Sequence, residues 1–278
     1  MRIIEASQIV ETIRKLCIEA NCRLPEDVTG CIYKMLSEET WEPAKMQMGL
    51  ILENARLADG RMEPICQDDG VVCVFLEIGQ NLIINGDIHD AVNEGVRCGY
   101  KEGYFRNSVA HPLSRENTGD NTPAMIYTEL VPGEMIKITV APKGFGAENM
   151  SKLKMMLPSD GEDSITEFVL SVIKEAGANP CPPIIVGVGI GGTFDKCALL
   201  AKKALFRPID QPNPDSRIQA LEKRLLDEIN KTGIGPQGLG GKTTALHVAI
   251  ETMHTHIAGL PCAVNINCHA SRHATEVI

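Results

Sequence analysis

Aromatic side chains are scarce: one Trp, four Tyr and six Phe make up 4% of the 278 residues. The core must therefore be packed mainly from Ile, Leu, Val, Ala and Met. A basic surface is also lacking. With 27 Lys and Arg against 36 Asp and Glu, the formal net charge is −9. Such a chain repels nucleic-acid phosphates and anionic membranes, so neither is expected as a partner. No stretch approaches the roughly 20 apolar residues that a membrane span requires. The opening MRIIEASQIVETIRKLC is charged and amphipathic, without the apolar segment of a secretory signal. The expectation is a cytoplasmic protein. Repeats, low-complexity tracts and a convincing linker are absent too, and the Pro-rich piece at 207–214 reads as a loop between helices.

What remains is an ordinary globular composition, 44% hydrophobic and 23% charged, on a chain long enough to bury a substantial core. Helical spacing of Ile3, Ile4, Ile9, Val10, Ile13 and Cys17 starts a helical region over about 1–60, with a second element from Pro25 and a third around Leu50–Ala55. The β-rich runs Val71–Leu76 and Met135–Val140 follow, with helical patterns at 86–98 and 162–176. Pro183–Gly187 reads as a short buried strand leading through a glycine turn into a helix over 194–206. Ser216–Lys231 and Thr243–Thr255 read as helices, and a strand near 262–266 closes the chain. The predicted fold is mixed α/β (α+β): a helical N-terminal segment, then sheet elements flanked by helices, in one domain over 1–278 with functional loops between elements.

Two glycine motifs imitate nucleotide sites. Gly187-Val-Gly-Ile-Gly-Gly192 fits G-x-G-x-x-G between a strand and a helix, but the acid some 20 residues on, Asp210, lies in the Pro-rich loop. A dinucleotide fold needs that acid at the end of a second strand. Gly235-Pro-Gln-Gly-Leu-Gly-Gly-Lys-Thr243 resembles a P-loop, yet Pro236 stands where the first glycine belongs. Proline has no N–H to offer a phosphate. Tight turns that bring backbone close to another ligand, such as a carboxylate, are the better reading of both.

Ten cysteines are the compositional anomaly, because the cytosol keeps thiols reduced. Cys17, Cys22, Cys31, Cys73, Cys98, Cys197 and Cys262 lie among Val, Ile, Leu and Ala and read as buried apolar thiols. The other three have different neighbours. Cys66 lies in Glu-Pro-Ile-Cys-Gln-Asp-Asp-Gly, Cys181 between prolines, and Cys268 in Asn-Ile-Asn-Cys-His-Ala-Ser-Arg-His. All three fall on loops at element ends, where ligands and nucleophiles concentrate. Without a C-x-x-C, a zinc ribbon or ferredoxin-type cluster is unsupported. Spacing alone leaves a shared three-thiolate site as one option beside loop thiols of no joint role.

The surrounding motifs occur in a telling order: Pro64-Ile-Cys-Gln-Asp-Asp-Gly70, Asn117-Thr-Gly-Asp-Asn121, Lys143-Gly-Phe-Gly-Ala-Glu-Asn149, Gly189-Ile-Gly-Gly-Thr193, Gly235–Thr244, His254-Thr-His256 and Asn267-Cys-His269. From about residue 60 to the end the chain closely resembles the class I, iron–sulfur-dependent fumarase and L(+)-tartrate dehydratase family. The resemblance implies a 4Fe–4S cluster on Cys66, Cys181 and Cys268 with one iron left open as a Lewis acid, and a hydro-lyase reaction such as the reversible hydration of fumarate to malate. Dehydration of L(+)-tartrate or of a methylated diacid is the alternative. It further implies that Asp68 contacts substrate and gives a proton to the departing hydroxyl, with His256 orienting that carboxylate. His254, His269 and His273 are its rivals. Gln67 and the Gly146 amide would contact substrate, and the Arg106 fork would grip a carboxylate, with Arg115 as competitor. Each of these side chains also has a plain alternative, as a turn residue, a structural histidine or a surface ion pair. Single-chain members carry a smaller swivelling domain after this region. The chain therefore resembles the alpha subunit of the two-subunit form, expected to pair with a separate beta subunit, with dimers of alpha–beta pairs as the implied assembly. One departure is Asp69, where the family usually has threonine; directly after the expected substrate aspartate, it would either tune substrate choice or only pack the loop.

Overall fold

The computed structural model describes residues 2–278. The chain opens with β1 (Arg2–Glu5), α1 (Ala6–Cys22), α2 (Glu26–Glu38) and α3 (Glu42–Arg61). It continues through β2 (Val71–Gly79), β3 (Leu82–Asn85), α4 (Ile88–Glu102), β4 (Met125–Val131) and β5 (Ile136–Lys143). Next come α5 (Phe145–Glu148), β6 (Lys152–Met156), α6 (Gly161–Ala176), β7 (Ile184–Gly191) and α7 (Phe194–Ala204). The remainder is α8 (Ser216–Asn230), β8 (Ala245–Met253), β9 (Leu260–Asn267) and β10 (Ala274–Val277). Helices and sheets intermix as the mixed α/β expectation requires.

These elements form two compact units, the first from residues up to 25, 54–144 and 272–278, the second from 26–53 and 145–271. In the first unit a four-stranded sheet runs β10-β5-β2-β4, with β2 antiparallel to β5 and parallel to β4. A parallel β1–β3 pair stands apart from it. The apolar stripe of α1 (Ile9, Ile13, Leu16, Cys17, Ala20) joins Val92, Val96 and Tyr100 of α4 and Val72, Val74, Ile138 and Val140 of the sheet in one core. Asp87 caps α4, accepting from the Asp90 N–H at 2.9 Å.

The second unit is built on the sheet β6-β9-β7-β8, in which β7 and β8 are parallel and β9 is antiparallel to β7. Val169, Val172 and Ile173 of α6 and Leu221, Leu225 and Ile229 of α8 bury against Val186, Val188, Val248, Ile250, Val264 and Ile266. Asp215 caps α8 by accepting from the Arg217 and Ile218 N–H groups at 2.8 and 3.3 Å.

Two sequence expectations are corrected. Residues 2–5 are a strand, not the start of the first helix, because Arg2–Glu5 pairs in parallel with Leu82–Asn85. The expected helix over Thr243–Thr255 is strand β8. A strand paired in parallel and covered by helices is apolar on both faces, so its run Ala245–Ile250 carries no alternation to distinguish it from a buried helix.

Candidate functional site

Residues 66–70 form an irregular loop entering β2. The Cys66 thiol lies 3.4 Å from Gln67 Oε1, and the Asp68 N–H donates to Cys66 Sγ at 3.4 Å. Asp68 turns the chain by accepting from the Gly70 N–H at 3.1 Å. That bond is the Asx turn expected of an aspartate before glycine, and it leaves the second carboxylate oxygen beside Gly144. A Cβ on Gly144 would come within 3.0 Å of that oxygen. The Asp68 carboxylate therefore has one oxygen in the turn and the other against a residue with no side chain.

Neighbouring residues of the same unit hold this loop. Tyr100 donates its hydroxyl to the Asp69 carbonyl at 2.6 Å, and Asn121 Nδ2 donates to the Gly70 carbonyl at 3.1 Å. Arg272 donates Nη2 to the Asp68 carbonyl. Asp69 is only 3% exposed, and its Oδ2 accepts the Arg106 backbone N–H at 2.7 Å. Burial pushes the Asp69 carboxyl up, while the Arg106 N–H and the positive charge of Arg272 pull in the other direction.

Arg106 itself is exposed. Its loop is fixed from the far side by Asn121, fully buried at φ +59°, whose Oδ1 accepts from Ser108 and Val109 N–H at 2.7 and 3.2 Å. The Asn117–Asn121 motif thus acts as a brace for the arginine loop. Arg115, the competitor, sits in an exposed turn whose N–H donates to the His111 carbonyl at 3.0 Å.

In the second unit, Cys181 is exposed and adopts φ +54°, a left-handed conformation uncommon for a side-chain-bearing residue. Strain of this kind clusters at functional sites and persists only where surroundings enforce it. Gln237 supplies much of that enforcement: its N–H and Nε2 both donate to the Pro182 carbonyl, at 2.8 and 2.9 Å. The His269 N–H donates to the Cys181 carbonyl at 3.3 Å, and His269 Nδ1 stands 3.0 Å from the same oxygen. Since His269 directly follows Cys268, these bonds bring the Cys181 and Cys268 segments together. Gly146 lies exposed on the short helix α5, near the Asn179 carbonyl. His256 is exposed beyond β8, its Nδ1 accepting the Ala258 N–H at 3.1 Å.

The remaining cysteines divide as expected with two qualifications. Cys17, Cys22, Cys73, Cys197 and Cys262 are buried, whereas Cys31 and Cys98 are only partly so. Burial pushes the Cys22 and Cys197 thiols up to about 11 and the Cys262 thiol up to about 12. Cys31, too, is pushed up to about 11 by burial. Cys66 and Cys268 are partly exposed and Cys181 is exposed. Three thiols of soft donor character on loops fit an iron–sulfur cluster.

Both glycine motifs have structural explanations. A Cβ on Gly187 or Gly189 would fall 2.1 or 2.2 Å from a backbone oxygen of α7, so these glycines let the helix close onto β7. In the P-loop-like segment the Lys242 N–H donates to buried Glu39 at 2.7 Å, which also accepts from Thr40 and Trp41. The backbone donor is already committed to a carboxylate.

Comparison with known proteins defines the class. The family model described as fumarate hydratase (Fumerase) matches residues 10–277, and the chain belongs to this family of hydro-lyases. The provisionally named L(+)-tartrate dehydratase subunit alpha of Methanocaldococcus jannaschii is 44% identical over 281 residues, 98% of each chain. The L(+)-tartrate dehydratase subunit alpha of Escherichia coli O157:H7 is 29% identical, covering 98% of this chain and 91% of its own. The family resemblance read from the motifs is borne out, and the protein is an enzyme. No helix among the described residues is long and apolar enough to cross a membrane.

Sequence reasoning missed Arg272 as part of the loop scaffold and left Asp69 open between tuning substrate choice and packing the loop. Arg272 stood inside the Cys268–His273 motif, but nothing in a lone sequence marks an arginine as buried.

Proposed function

We propose that this chain is the cluster-bearing alpha subunit of a hydro-lyase that adds or removes water on a four-carbon 2-hydroxy dicarboxylate. The observation that carries it is the loop Cys66–Gly70, which joins a thiol, a carboxylate with one oxygen outside its turn, and the tether of Arg106. Cys66, Cys181 and Cys268 are the inferred thiolate ligands of a 4Fe–4S cluster. When bound, the cluster supplies a Lewis-acidic iron with an open position.

The chain's own residues divide the remaining work. Arg106 presents a two-pronged donor that suits a carboxylate at one end of the substrate. Gln67 and the Gly146 amide add orienting hydrogen bonds. Asp68 hands a proton to the hydroxyl as its carbon–oxygen bond breaks, and takes it back in hydration. His256 orients the Asp68 carboxylate for that transfer. Its exposed position at the end of β8 supports that reading over a packing role.

Within this substrate class, dehydration of L(+)-tartrate is favoured by the names of relatives matched along nearly their whole length. Reversible hydration of fumarate to malate is the second reading, supported by the family description. The relatives are named as alpha subunits, which supports a separate beta subunit that completes the enzyme. Dimers of alpha–beta pairs are the proposed assembly, and a cytoplasmic location suits an oxygen-sensitive cluster.

The test is anaerobic reconstitution with iron and sulfide, followed by assembly with the beta subunit and assay against L(+)-tartrate, L-malate and citramalate. Four irons per chain are expected, falling sharply in Cys66→Ser, Cys181→Ser and Cys268→Ser, with turnover of one diacid only after assembly. Full iron content in any of those three variants would remove that cysteine from the ligand set. Full turnover by the chain alone would refute the need for a partner.

A further inference from the structure

Asp69 is not placed as a substrate contact. Its side chain is 3% exposed, and one oxygen is taken by the Arg106 backbone N–H at 2.7 Å. The Arg272 guanidinium, 4% exposed, bonds the carbonyl of the preceding Asp68 through Nη2. Arg272 Nε and Nη1 and Asp69 Oδ1 have no hydrogen-bond partner, and the Arg272 charge acts on Asp69 through space, opposing the larger effect of burial. Burying either alone is costly, which gives each a reason to require the other.

We propose that Asp69 and Arg272 are the positioning residues that register Arg106 against Asp68, Asp69 holding the arginine's backbone and Arg272 the aspartate's. Arg106 is exposed, and the backbone anchor from Asp69 lies within the arginine itself. The Asn121 brace acts two and three residues further along, on Ser108 and Val109. Asp69 therefore sets where the guanidinium starts from, and Arg272 sets where the Asp68 carboxylate starts from. The consequence is a division of labour inside Asp69. Its oxygen fixes Arg106, whereas its negative charge offsets Arg272. This inference rests on the proposed roles of Arg106 and Asp68.

Two substitutions separate the functions. Asparagine keeps an acceptor oxygen and loses the charge, while alanine loses both. In the cluster-loaded chain assembled with its beta subunit, Asp69→Ala is expected to raise KM for the dicarboxylate about tenfold or more, the usual scale for losing a hydrogen bond to a charged group. The KM of Asp69→Asn should stay within about twofold of wild type, although both variants unfold at lower denaturant because Arg272 is left without its counter-charge. Amide exchange at Arg106 should accelerate in Asp69→Ala and remain slow in Asp69→Asn. Equal KM rises in the two variants, or slow Arg106 exchange in Asp69→Ala, would overturn the positioning role. A wild-type assembly inactive on every dicarboxylate instead overturns the functional reading, and the exchange experiment still decides whether Asp69 holds Arg106.

Discussion

Ten thiols in one chain permit a direct test of the proposed cluster ligands, by timed labelling of the native protein with an aromatic disulfide reagent. The thiolate is the attacking species, so ionisation sets the first scale. At pH 8 an ordinary exposed thiol with pKa about 8.5 is roughly one-quarter ionised. Cys262, pushed up to about 12, is ionised only about one part in ten thousand at that pH, a deficit of about 2,000-fold. A more basic thiolate is a better nucleophile, and a Brønsted slope of about 0.4–0.5 recovers some 25- to 60-fold. The net expectation is a rate about 40- to 100-fold below that of an ordinary thiol, before restricted access slows it further. For Cys197 and Cys22, pushed up to about 11, the same reasoning yields about 10- to 25-fold.

In the cluster-free chain, exposed Cys181 should label among the first, with Cys66 and Cys268 ahead of the buried set. Mass spectrometry of quenched time points assigns each site. Loading the cluster should then protect Cys66, Cys181 and Cys268 and leave Cys31 and Cys98 unchanged. Labelling of Cys262 as fast as Cys181 would refute the burial reasoning. Protection of a different trio on loading would refute the ligand assignment.

Other expectations concern stability. His247 is pushed down to about 4, first by burial and then by the neighbouring Arg207 charge. Its unfolded form takes up a proton below the ordinary value near 6.5, while the folded form resists until about 4. Stability should therefore fall as pH drops from about 6.5 to 4, by up to about 3 kcal/mol, and urea melts of His247→Asn should lose most of that slope. Leu225→Ala removes a side chain fully buried between α8 and the sheet, and should cost about 2–5 kcal/mol in chemical denaturation, with little change at the first unit's core. Asp215→Ala strips α8 of its cap and should cost about 1 kcal/mol, recovered in part by Asp215→Ser.

Much of this protein was legible in its residues. The three loop cysteines stood out because their neighbours are polar or proline, whereas Cys17, Cys197 and Cys262 sit in apolar periodic runs that fold inward. Amphipathic helices such as α1 and α8 declared themselves because one face meets water and the other the core. Strand β8 did not, since a strand covered on both sides has no wet face to write a period of two. Pro236 in the P-loop imitation was decisive without coordinates, because its lack of an N–H is local chemistry.

Tertiary structure alone decided the partners. Only the folded chain brings Arg106 to Asp69, His269 to the Cys181 carbonyl and Arg272 to the Asp68 carbonyl. Those pairs are far apart in sequence, and neither member carries a local mark of the other. Asp69 shows the difference most plainly. As a letter it was a departure beside a candidate substrate residue; buried at 3% exposure against Arg106 and Arg272, it is part of the frame. Composition and periodicity report which side chains avoid water, while the pairing of buried charges depends on which distant segments the fold makes neighbours.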